Sequence, residues 1–194
     1  MIELKYMDTQ RVFLAILIPD TVKQKIGRNV QKEITTCKQA HWIPQKNWHV
    51  TVLPPQYWNE DDIRYRMDVL QDRITQQPFS ITLSKIELGP NKRNPRMVWV
   101  VGEPSVEYDS CVKQVISILR ESEVEPERIK QNRENIVHIT LARFPAIFSS
   151  RMQWTDKIIH ETFPVDHIEL WHVDLKRTGA EYTQIGNIQF VNDK

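Results

Sequence analysis

The sequence predicts one compact domain of mixed α and β structure, built from two similar halves. Its 194 residues are enough for one substantial hydrophobic core but few for two independent domains. In each half, apolar runs of strand length alternate with helical patterns in the order β-α-β-α-β. The halves cover about residues 11–88 and 97–175, and a C-terminal strand segment follows them. The repeated order favours an ancient duplication within a single domain, 1–194.

The elements of the first half follow from the spacing of its apolar residues. Apolar β-branched runs and period-2 alternation predict strands, and spacings of three or four residues predict helices. The predicted elements are, in chain order, a strand over 11–18, a helix to about 36, a strand over 49–53, a helix over about 60–76 and a strand over 79–88. Asp20 is a suitable N-cap for the first helix. We expect Pro54-Pro55 to end the second strand.

The second half begins after a turn signal over 89–95 and repeats this order. Its predicted elements are a strand over 97–101, a helix over about 106–122, a polar loop through Asn135, a strand over 137–141, a helical stretch near 151–161 and a strand-like segment over 163–175. A short hairpin-like strand is predicted over 182–191, after Gly179.

Composition and charge exclude several classes of protein. Hydrophobic residues make up 40% of the chain and charged residues 26%, which is typical of a globular protein. The chain has 26 basic and 25 acidic residues, so its net charge does not indicate nucleic-acid binding, and any phosphate binding must depend on a local group of residues. Cys37 and Cys111 form no metal-ligand pattern, and two free thiols fit a reducing cytoplasm. The N-terminal apolar run, 12–18, is too short to span a membrane, and no signal peptide is expected.

Two His-x-Thr motifs, His49-Val50-Thr51 and His138-Ile139-Thr140, lie on the second predicted strand of each half. Residues i and i+2 of a strand share a face, so each motif places an imidazole beside a hydroxyl while its middle residue faces the apolar layer. If a pseudo-twofold brings the two strands together, two imidazoles and two hydroxyls line one cleft. A phosphate group suits such a cleft.

Two histidines are well matched to opening a 2′,3′-cyclic phosphate. The attacking water must lose a proton while the departing ribose oxygen gains one, on opposite sides of phosphorus. Histidine can be neutral at one position and protonated at the other near neutral pH. The pair predicts a bell-shaped pH-rate profile and needs no metal.

Six segments of the chain also resemble a known family. They are Arg11-Val-Phe-Leu-Ala-Ile, Trp42-Ile-Pro-Gln-Lys-Asn-Trp-His-Val-Thr, Phe79-Ser-Ile-Thr-Leu, Asn94-Pro-Arg-Met-Val-Trp-Val, His138-Ile-Thr-Leu-Ala-Arg143 and Gly179-Ala-Glu-Tyr182. Together they resemble the 2H phosphoesterase superfamily and, within it, the LigT-like RNA 2′,3′-cyclic phosphodiesterases, also called the 2′-5′ RNA ligase family. The resemblance covers nearly the whole chain.

This resemblance implies an α+β, bilobal fold in which two pseudo-twofold-related antiparallel sheets line a central cleft, with helices on the outside. It implies hydrolysis of 2′,3′-cyclic phosphate RNA ends to a 2′-phosphate, with 2′-5′ RNA ligation as the reverse reaction. We expect no cofactor and no metal, a monomer in the cytoplasm, no membrane contact, and RNA ends such as those of tRNA halves, or a nucleotide, as the partner.

The resemblance also implies roles for individual residues. His49 would donate a proton to the leaving ribose oxygen and His138 would accept one from water, while Thr51 and Thr140 hold the phosphate. Arg143, five residues after His138, matches the arginine of the family's second motif and would make charge-assisted contacts with phosphate.

Three aromatic residues, Phe13, Trp48 and Tyr182, are further candidates for substrate binding. Trp48 could stack on a base, but packing in the core is the alternative at this position. The first motif continues as Val52-Leu53-Pro54-Pro55, where the family usually has an apolar residue, Phe, Leu and Gly. This difference leaves His49 and Thr51 in place but affects the shape of the loop beside them, and with it the substrate preference on that side.

Several alternatives stay open at this point. The enzyme could act on small cyclic nucleotides or 2′-5′ oligonucleotides, or the chain could be a non-catalytic binder of RNA or nucleotides. A basic loop could steer RNA or be a solvated turn; its cations are Lys85, Lys92, Arg93 and Arg96. The other four histidines are interpreted as structural.

Overall fold

A computed structural model of the protein describes residues 9–122, 135–145, 147, 154–177 and 179–191. Its helices and strands are β1 (Gln10–Leu17), α1 (Asp20–Thr36), β2 (His41–Trp42), β3 (His49–Trp58), α2 (Glu60–Arg73), β4 (Phe79–Gly89), β5 (Met97–Gly102), α3 (Val106–Ser122), β6 (His138–Arg143), β7 (Lys157–Val165), β8 (His167–Lys176) and β9 (Gly179–Gln189). A short 3-10 helix, Gln45–Asn47, connects β2 to β3.

The strands form two antiparallel sheets, and each sheet contains strands from both halves of the chain. One sheet has the order β3-β1-β8-β9 and the other β2-β6-β5-β4-β7. The order of the first matches β6-β5-β4-β7 of the second, so the sheets are related as by a pseudo-twofold. Strand β4 lies beside β5 and β8 lies beside β1, which ties the two lobes together. The α+β fold with two antiparallel sheets is therefore confirmed.

The main core lies between the helices and one face of each sheet. Apolar residues spaced at helical intervals are buried in it, which explains why α1 and α3 form where the sequence predicts them. The most regular of these are Val22, Ile26 and Val30 in α1 and Cys111, Val115 and Leu119 in α3.

The opposite face of the four-stranded sheet carries a small apolar cluster. Phe13, Ala15 and Val173 form it, whereas Val12 and Leu14 of the same strand belong to the main core. Because successive strand residues point to opposite faces, this second face is the one turned away from the helices. It faces the cleft.

The two first-half helices differ in detail from the sequence-based expectation. Asp20 is the first residue of α1 instead of its N-cap, because the carbonyl of Pro19 accepts the first helical hydrogen bonds. Helix α2 begins with a capping box in which Asn59 accepts a hydrogen bond from the Asp62 N–H at 2.7 Å. It ends at Arg73, three residues earlier than predicted.

Pro54-Pro55 does not end the second predicted strand, since β3 continues to Trp58. Between the pairs Val12–Gln56 and Leu14–Leu53, β1 contributes one residue and β3 contributes the two prolines. The prolines therefore form a β-bulge. Strand β3 is an edge strand, where a residue without an N–H is tolerated, and the prediction that the strand stops here is wrong.

The helical stretch predicted near 151–161 is wrong over 157–161, which belongs to strand β7. This strand pairs with β4 from Phe79–Val165 to Ile86–Lys157 and buries Ile159, Phe163 and Val165. A tertiary pairing partner thus overrides the local helical pattern. The predicted strand-like segment over 163–175 is divided between β7 and β8. Residues 151–153 and the predicted polar loop over 123–134 lie outside the described residues.

Candidate active site

The two motif strands, β3 and β6, meet between the sheets and enclose a cavity of about 370 Å³. Seven of the residues that line it were predicted as site residues from the sequence: His49, Thr51, His138, Thr140, Arg143, Phe13 and Tyr182. The structure thus brings the two His-x-Thr motifs into one cleft. A volume of this size can hold a small ligand.

The same irregularity follows both motifs. One extra residue is inserted into the ladder directly after each threonine, Val52 in β3 and Leu141 in β6. Such a bulge shifts the alternation of faces by one position. Arg143 lies at an odd spacing from His138 and would face the core in a regular strand. The bulge turns it to the face of the histidine, where it lines the cavity.

Each catalytic candidate imidazole is held by the backbone two residues before it. Nδ1 of His49 lies 2.8 Å from the carbonyl oxygen of Asn47, and Nδ1 of His138 lies 2.9 Å from that of Ile136. A carbonyl can only accept, so Nδ1 carries a hydrogen in both rings. Nε2 is then the nitrogen left to exchange protons with a ligand.

Burial and neighbouring cations lower the pKa of both imidazoles. Loss of water around His49 lowers its pKa to about 4, and the positive charges of His138, Arg143 and Lys23 act in the same direction. Burial also lowers the pKa of His138, and Arg143 adds to the effect. The backbone hydrogen bonds to the rings oppose these shifts without reversing them. At neutral pH the free site therefore holds two neutral imidazoles.

Aromatic side chains surround His49. The ring of Phe13 lies 4.8 Å from the His49 ring and that of Tyr182 lies 5.7 Å away, measured between centroids. Phe13 and Tyr182 also contact each other at 5.1 Å, and both line the cavity. On the other side, Trp99 lies 5.1 Å from His138. The structure therefore brings two of the three aromatic candidates to the cleft.

Trp48 is the aromatic candidate that does not reach the cleft. Its side chain is 1% exposed in the main core, and its Nε1–H donates to the carbonyl oxygen of Ile43 at 2.9 Å. This corrects the expectation of substrate contact at this position, and core packing is the alternative that the structure favours. The reason is the alternation of β3, which turns His49 to the cleft and its neighbours to the core.

Comparisons with known proteins agree with this architecture. The family model described as LigT like Phosphoesterase matches residues 16–99, which include the first motif. An RNA 2′,3′-cyclic phosphodiesterase of Methanocaldococcus jannaschii is 25% identical over 180 residues, which cover 90% of this chain and 98% of that protein. The protein of the same name from Thermotoga maritima is 24% identical, covering 93% and 95%. The chain is thus similar to LigT-like phosphoesterases in its first half and to curated RNA 2′,3′-cyclic phosphodiesterases over most of its length.

Solved structures show that the LigT-like fold extends over nearly the whole chain. The crystal structure of TT0787 from Thermus thermophilus superimposes with a TM-score of 0.78 at 21% identity and covers 93% of this chain and 97% of that one. Escherichia coli LigT in complex with 3′-AMP gives a TM-score of 0.76 at 21% identity, covering 95% and 100%. The shared fold includes the second half, which the family model does not reach.

Several residues of this LigT-like cleft were not predicted as site residues. Five more residues line the cavity: Arg11, Ile43, Asn47, Pro55 and Val173. Arg11 could have been found, because it alternates with Phe13 along β1. Asn47 shows no comparable sequence signal. Its side chain is buried and donates to the carbonyl oxygen of Ala180 at 2.9 Å, which fastens β9 to the backbone that holds His49.

Tyr108 supports the first motif from behind. Its hydroxyl donates to the carbonyl oxygen of Thr51 at 2.7 Å, at the point where the bulge interrupts the strand ladder. Burial raises the pKa of Tyr108 well above its usual range, so the hydroxyl stays protonated and remains a donor. Helix α3 thereby fixes the backbone of Thr51.

Two cations of the basic loop are engaged in ion pairs away from the cavity lining. Nζ of Lys85 lies 2.6 Å and Nζ of Lys92 lies 3.2 Å from Oε2 of Glu87, and both approach Asp156. These pairs favour a structural role for the loop. Among the described residues, no group of three or more His, Cys, Asp or Glu side chains is placed to hold a metal ion. No helix in the described part of the chain is long and apolar enough to cross a membrane.

Proposed function

We propose that this protein is an RNA 2′,3′-cyclic phosphodiesterase that produces a 2′-phosphate by two-histidine acid-base catalysis. The observation that carries the proposal is the matched pair of imidazoles, each held through Nδ1 and each beside a threonine in one cavity. Curated relatives over most of the chain have this activity in their names. If the 5′-hydroxyl of a second RNA end attacked phosphorus in place of water, the same two proton transfers would join the ends through a 2′-5′ bond.

The reaction assigns one proton transfer to each histidine. Nε2 of His138 takes a proton from water as the water oxygen forms a bond to phosphorus. Nε2 of His49 gives a proton to the ribose 3′ oxygen as its bond to phosphorus breaks, leaving a 2′-phosphate and a 3′-hydroxyl. Exchange with solvent then returns both rings to their starting states. The two transfers are balanced, and the proposed steps require no metal.

The donor role of His49 requires a charge that the free site disfavours, because its pKa is about 4 without ligand. A bound phosphodiester supplies a negative charge beside the ring and replaces water in the cleft. An opposite charge at hydrogen-bond distance favours the protonated form. We therefore propose that substrate binding itself protonates His49, which links binding of the anion to the start of catalysis.

Thr51, Thr140 and Arg143 would hold the phosphate during this exchange. The two hydroxyls lie beside the two imidazoles and can donate to the non-bridging oxygens. Arg143 lines the cavity, and its side chain makes no hydrogen bond or ion pair with another described residue. A guanidinium in this position can stabilise the charge that builds up on phosphorus-bound oxygens.

The second candidate function is phosphodiester hydrolysis of small cyclic nucleotides or 2′-5′ oligonucleotides. The cavity volume, about 370 Å³, favours it to the extent that a single nucleotide would occupy most of the space. A substrate series separates the two functions. The purified protein is given a nucleoside 2′,3′-cyclic phosphate, a nucleoside 3′,5′-cyclic phosphate, a 2′-5′ linked dinucleotide and an oligoribonucleotide with a 2′,3′-cyclic phosphate end.

The deciding experiment uses the oligoribonucleotide with EDTA present and identifies the phosphate product by chromatography. Release of a 2′-phosphate end supports the proposal, and a 3′-phosphate product contradicts the assigned direction of opening. Loss of activity in EDTA would overturn the metal-free mechanism. Tight binding of the RNA without turnover would show a non-catalytic binding protein.

A further inference from the structure

We propose that Arg11 and Tyr57 form a second binding position for RNA, which holds the nucleotide immediately upstream of the one that carries the cyclic phosphate. Arg11 would contact the phosphate between these two nucleotides, and Tyr57 would stack on the upstream base. The inference rests on the proposed function. It makes the preferred substrate an RNA end of at least two nucleotides.

Arg11 is a cation in the wall of the cavity. It lines the cavity together with Phe13 and Pro55, on the four-stranded sheet. Its guanidinium makes no hydrogen bond or ion pair with any other described residue. The residues found to line the cavity include no aspartate or glutamate. A guanidinium left without a carboxylate in such a wall is suited to bind phosphate.

Tyr57 extends the same surface beyond the cavity. Arg11 and Tyr57 are direct cross-strand partners, so their side chains lie on the same face of the sheet. Tyr57 is 66% exposed on an edge strand, although its ring is large and apolar. A guanidinium beside an exposed aromatic ring is the combination with which proteins hold one nucleotide of a single strand.

The direction of the RNA follows from the assigned role of His49. The group that protonates the ribose oxygen must lie on the ribose side of phosphorus, so the terminal nucleoside sits over the sheet that carries His49. Thr51 is paired with Ala15, and Arg11 lies four residues before Ala15 on β1. This span is about 13 Å at roughly 3.3 Å per residue, and the long arginine side chain shortens it. The next phosphate upstream along the RNA is therefore the one that Arg11 can reach.

The Pro54-Pro55 bulge explains why this position is open. It lies between Thr51 and Tyr57 on the edge strand and inserts an extra residue into the ladder. Pro55 lines the cavity, and neither proline carries a backbone N–H or a charged group. The surface between the phosphate-holding threonine and Arg11 is therefore apolar, which suits a ribose and its base better than a second phosphate.

The test compares two substrates that differ by one nucleotide. A nucleoside 2′,3′-cyclic phosphate lacks the upstream phosphate, and a dinucleotide with the same cyclic end contains it. We measure kcat/KM for both and take the ratio of the dinucleotide value to the nucleoside value. Arg11→Gln should lower this ratio about tenfold, the size expected for one charge-assisted hydrogen bond. Arg11→Lys should recover part of it.

Two further measurements separate the roles of charge and stacking. The slope of log kcat/KM against log salt for the dinucleotide should become shallower by about 0.7 in Arg11→Gln, as expected when one phosphate contact to a single strand is lost. Tyr57→Ala should lower the substrate ratio by about fivefold or more, and Tyr57→Phe should retain it, because the ring makes the contact. Arg28→Gln and Tyr65→Ala are matched exposed controls on α1 and α2 and should leave the ratio unchanged.

The outcomes distinguish this inference from the proposed function. If the wild-type protein hydrolyses neither substrate, the proposed function fails and the second position fails with it. If both are hydrolysed and Arg11→Gln leaves the ratio and the salt slope at wild-type values, the second position is overturned while the function stands. Circular dichroism and the melting temperature of each variant show whether the fold is intact.

Discussion

The two motif strands, β3 and β6, share the local geometry around their histidines and differ in the residues that surround it. Both have a bulge directly after the threonine, and both hold the histidine through the carbonyl two residues before it. Five residues after the histidine, however, β6 has Arg143 and β3 has Pro54. The local features of the two strands, the bulge and the hydrogen bond to the histidine, are thus duplicated, whereas the residue five positions after the histidine differs.

A second difference concerns the environment of the two rings. Burial lowers the pKa of His49, which lies against Phe13 and Tyr182, to about 4, and more cations add to this effect than at His138. Among the residues that line the cavity, the aromatic rings Phe13 and Tyr182 lie beside His49, and Arg143 lies on the strand of His138. Such a cleft is suited to a ligand with a nucleoside at one end and a charged, reacting group at the other.

The largest expected effect comes from removing either imidazole. His49→Ala and His138→Ala should each lower kcat about 10²–10⁴-fold, because each removes one of two proton transfers. The double variant should lose little more than the worse single variant, since the rings act as a unit. Single-turnover hydrolysis of a cyclic-phosphate RNA end measures this. His160→Ala, an exposed histidine on β7, is the control. Wild-type rates in either single variant would contradict the paired mechanism.

The next largest effect is expected at Arg143, because β3 has Pro54 at the corresponding position. Arg143→Met should lower kcat/KM about 10- to 100-fold through loss of charge-assisted hydrogen bonds to phosphate. Pro54→Arg should change it less than about threefold, because the prolines are exposed within their own bulge. Steady-state kinetics of both variants and of their combination measure this. Recovery of wild-type activity in the combined variant would show that the two sides are equivalent after all.

The sequence predicted the elements and the motifs well where local patterns decide structure. Strand β5, helix α3 and both His-x-Thr runs lie where apolar spacing places them. The helix predicted over 157–161 was wrong because pairing with β4, which is distant in sequence, makes this segment a strand. The prediction that Pro54-Pro55 ends the second strand was wrong for a related reason. A proline pair ends a central strand, but β3 is an edge strand, and no local pattern identifies an edge.

For the candidate site, the sequence predicted the two motifs that line the cavity and missed the residues that contact their backbone. Asn47 contributes a carbonyl to His49 and a side-chain bond to β9, and neither contact has a sequence pattern. Tyr108 lies 57 residues from Thr51 in the chain and reaches it through the packing of α3. Arg143 was predicted because it matches the arginine of the second motif in the family that the sequence resembles, but only the bulge at Leu141 explains how this position faces the cleft.

A smaller effect is expected where α3 supports the first motif. Tyr108→Phe leaves the Thr51 carbonyl without its hydroxyl donor and should lower the free energy of unfolding by about 1–3 kcal/mol. We expect kcat to fall a few-fold, because Thr51 shifts but keeps its hydroxyl. Urea denaturation and kinetics measure the two effects. Tyr65→Phe, an exposed tyrosine, should change stability by less than about 0.5 kcal/mol. An unchanged stability in Tyr108→Phe would mean that the bulge carbonyl needs no donor.

The smallest expected effect is a displacement along the pH axis. Burial and the nearby cations lower the pKa of His49 and of His138, so the singly protonated pair is most abundant below pH 6.5 in the free protein. The optimum of kcat/KM, which reports the free enzyme, should therefore lie on the acidic side of that value. Arg143→Met should move it to higher pH, because loss of a neighbouring cation raises both pKa values.

Histidine NMR titration measures the pKa of His49 and that of His138 separately. His49 should titrate at lower pH than an ordinary histidine, and inorganic phosphate should raise its pKa because the anion favours the protonated ring. His167 is the internal control. Burial acts to lower its pKa, but Asp166 and Glu169 prevail and raise it, and it lies outside the cavity lining. If phosphate left the His49 titration unchanged, protonation of the donor by a bound anion would be wrong, and the reverse assignment, with His138 as donor, would account better for the asymmetry of the cleft.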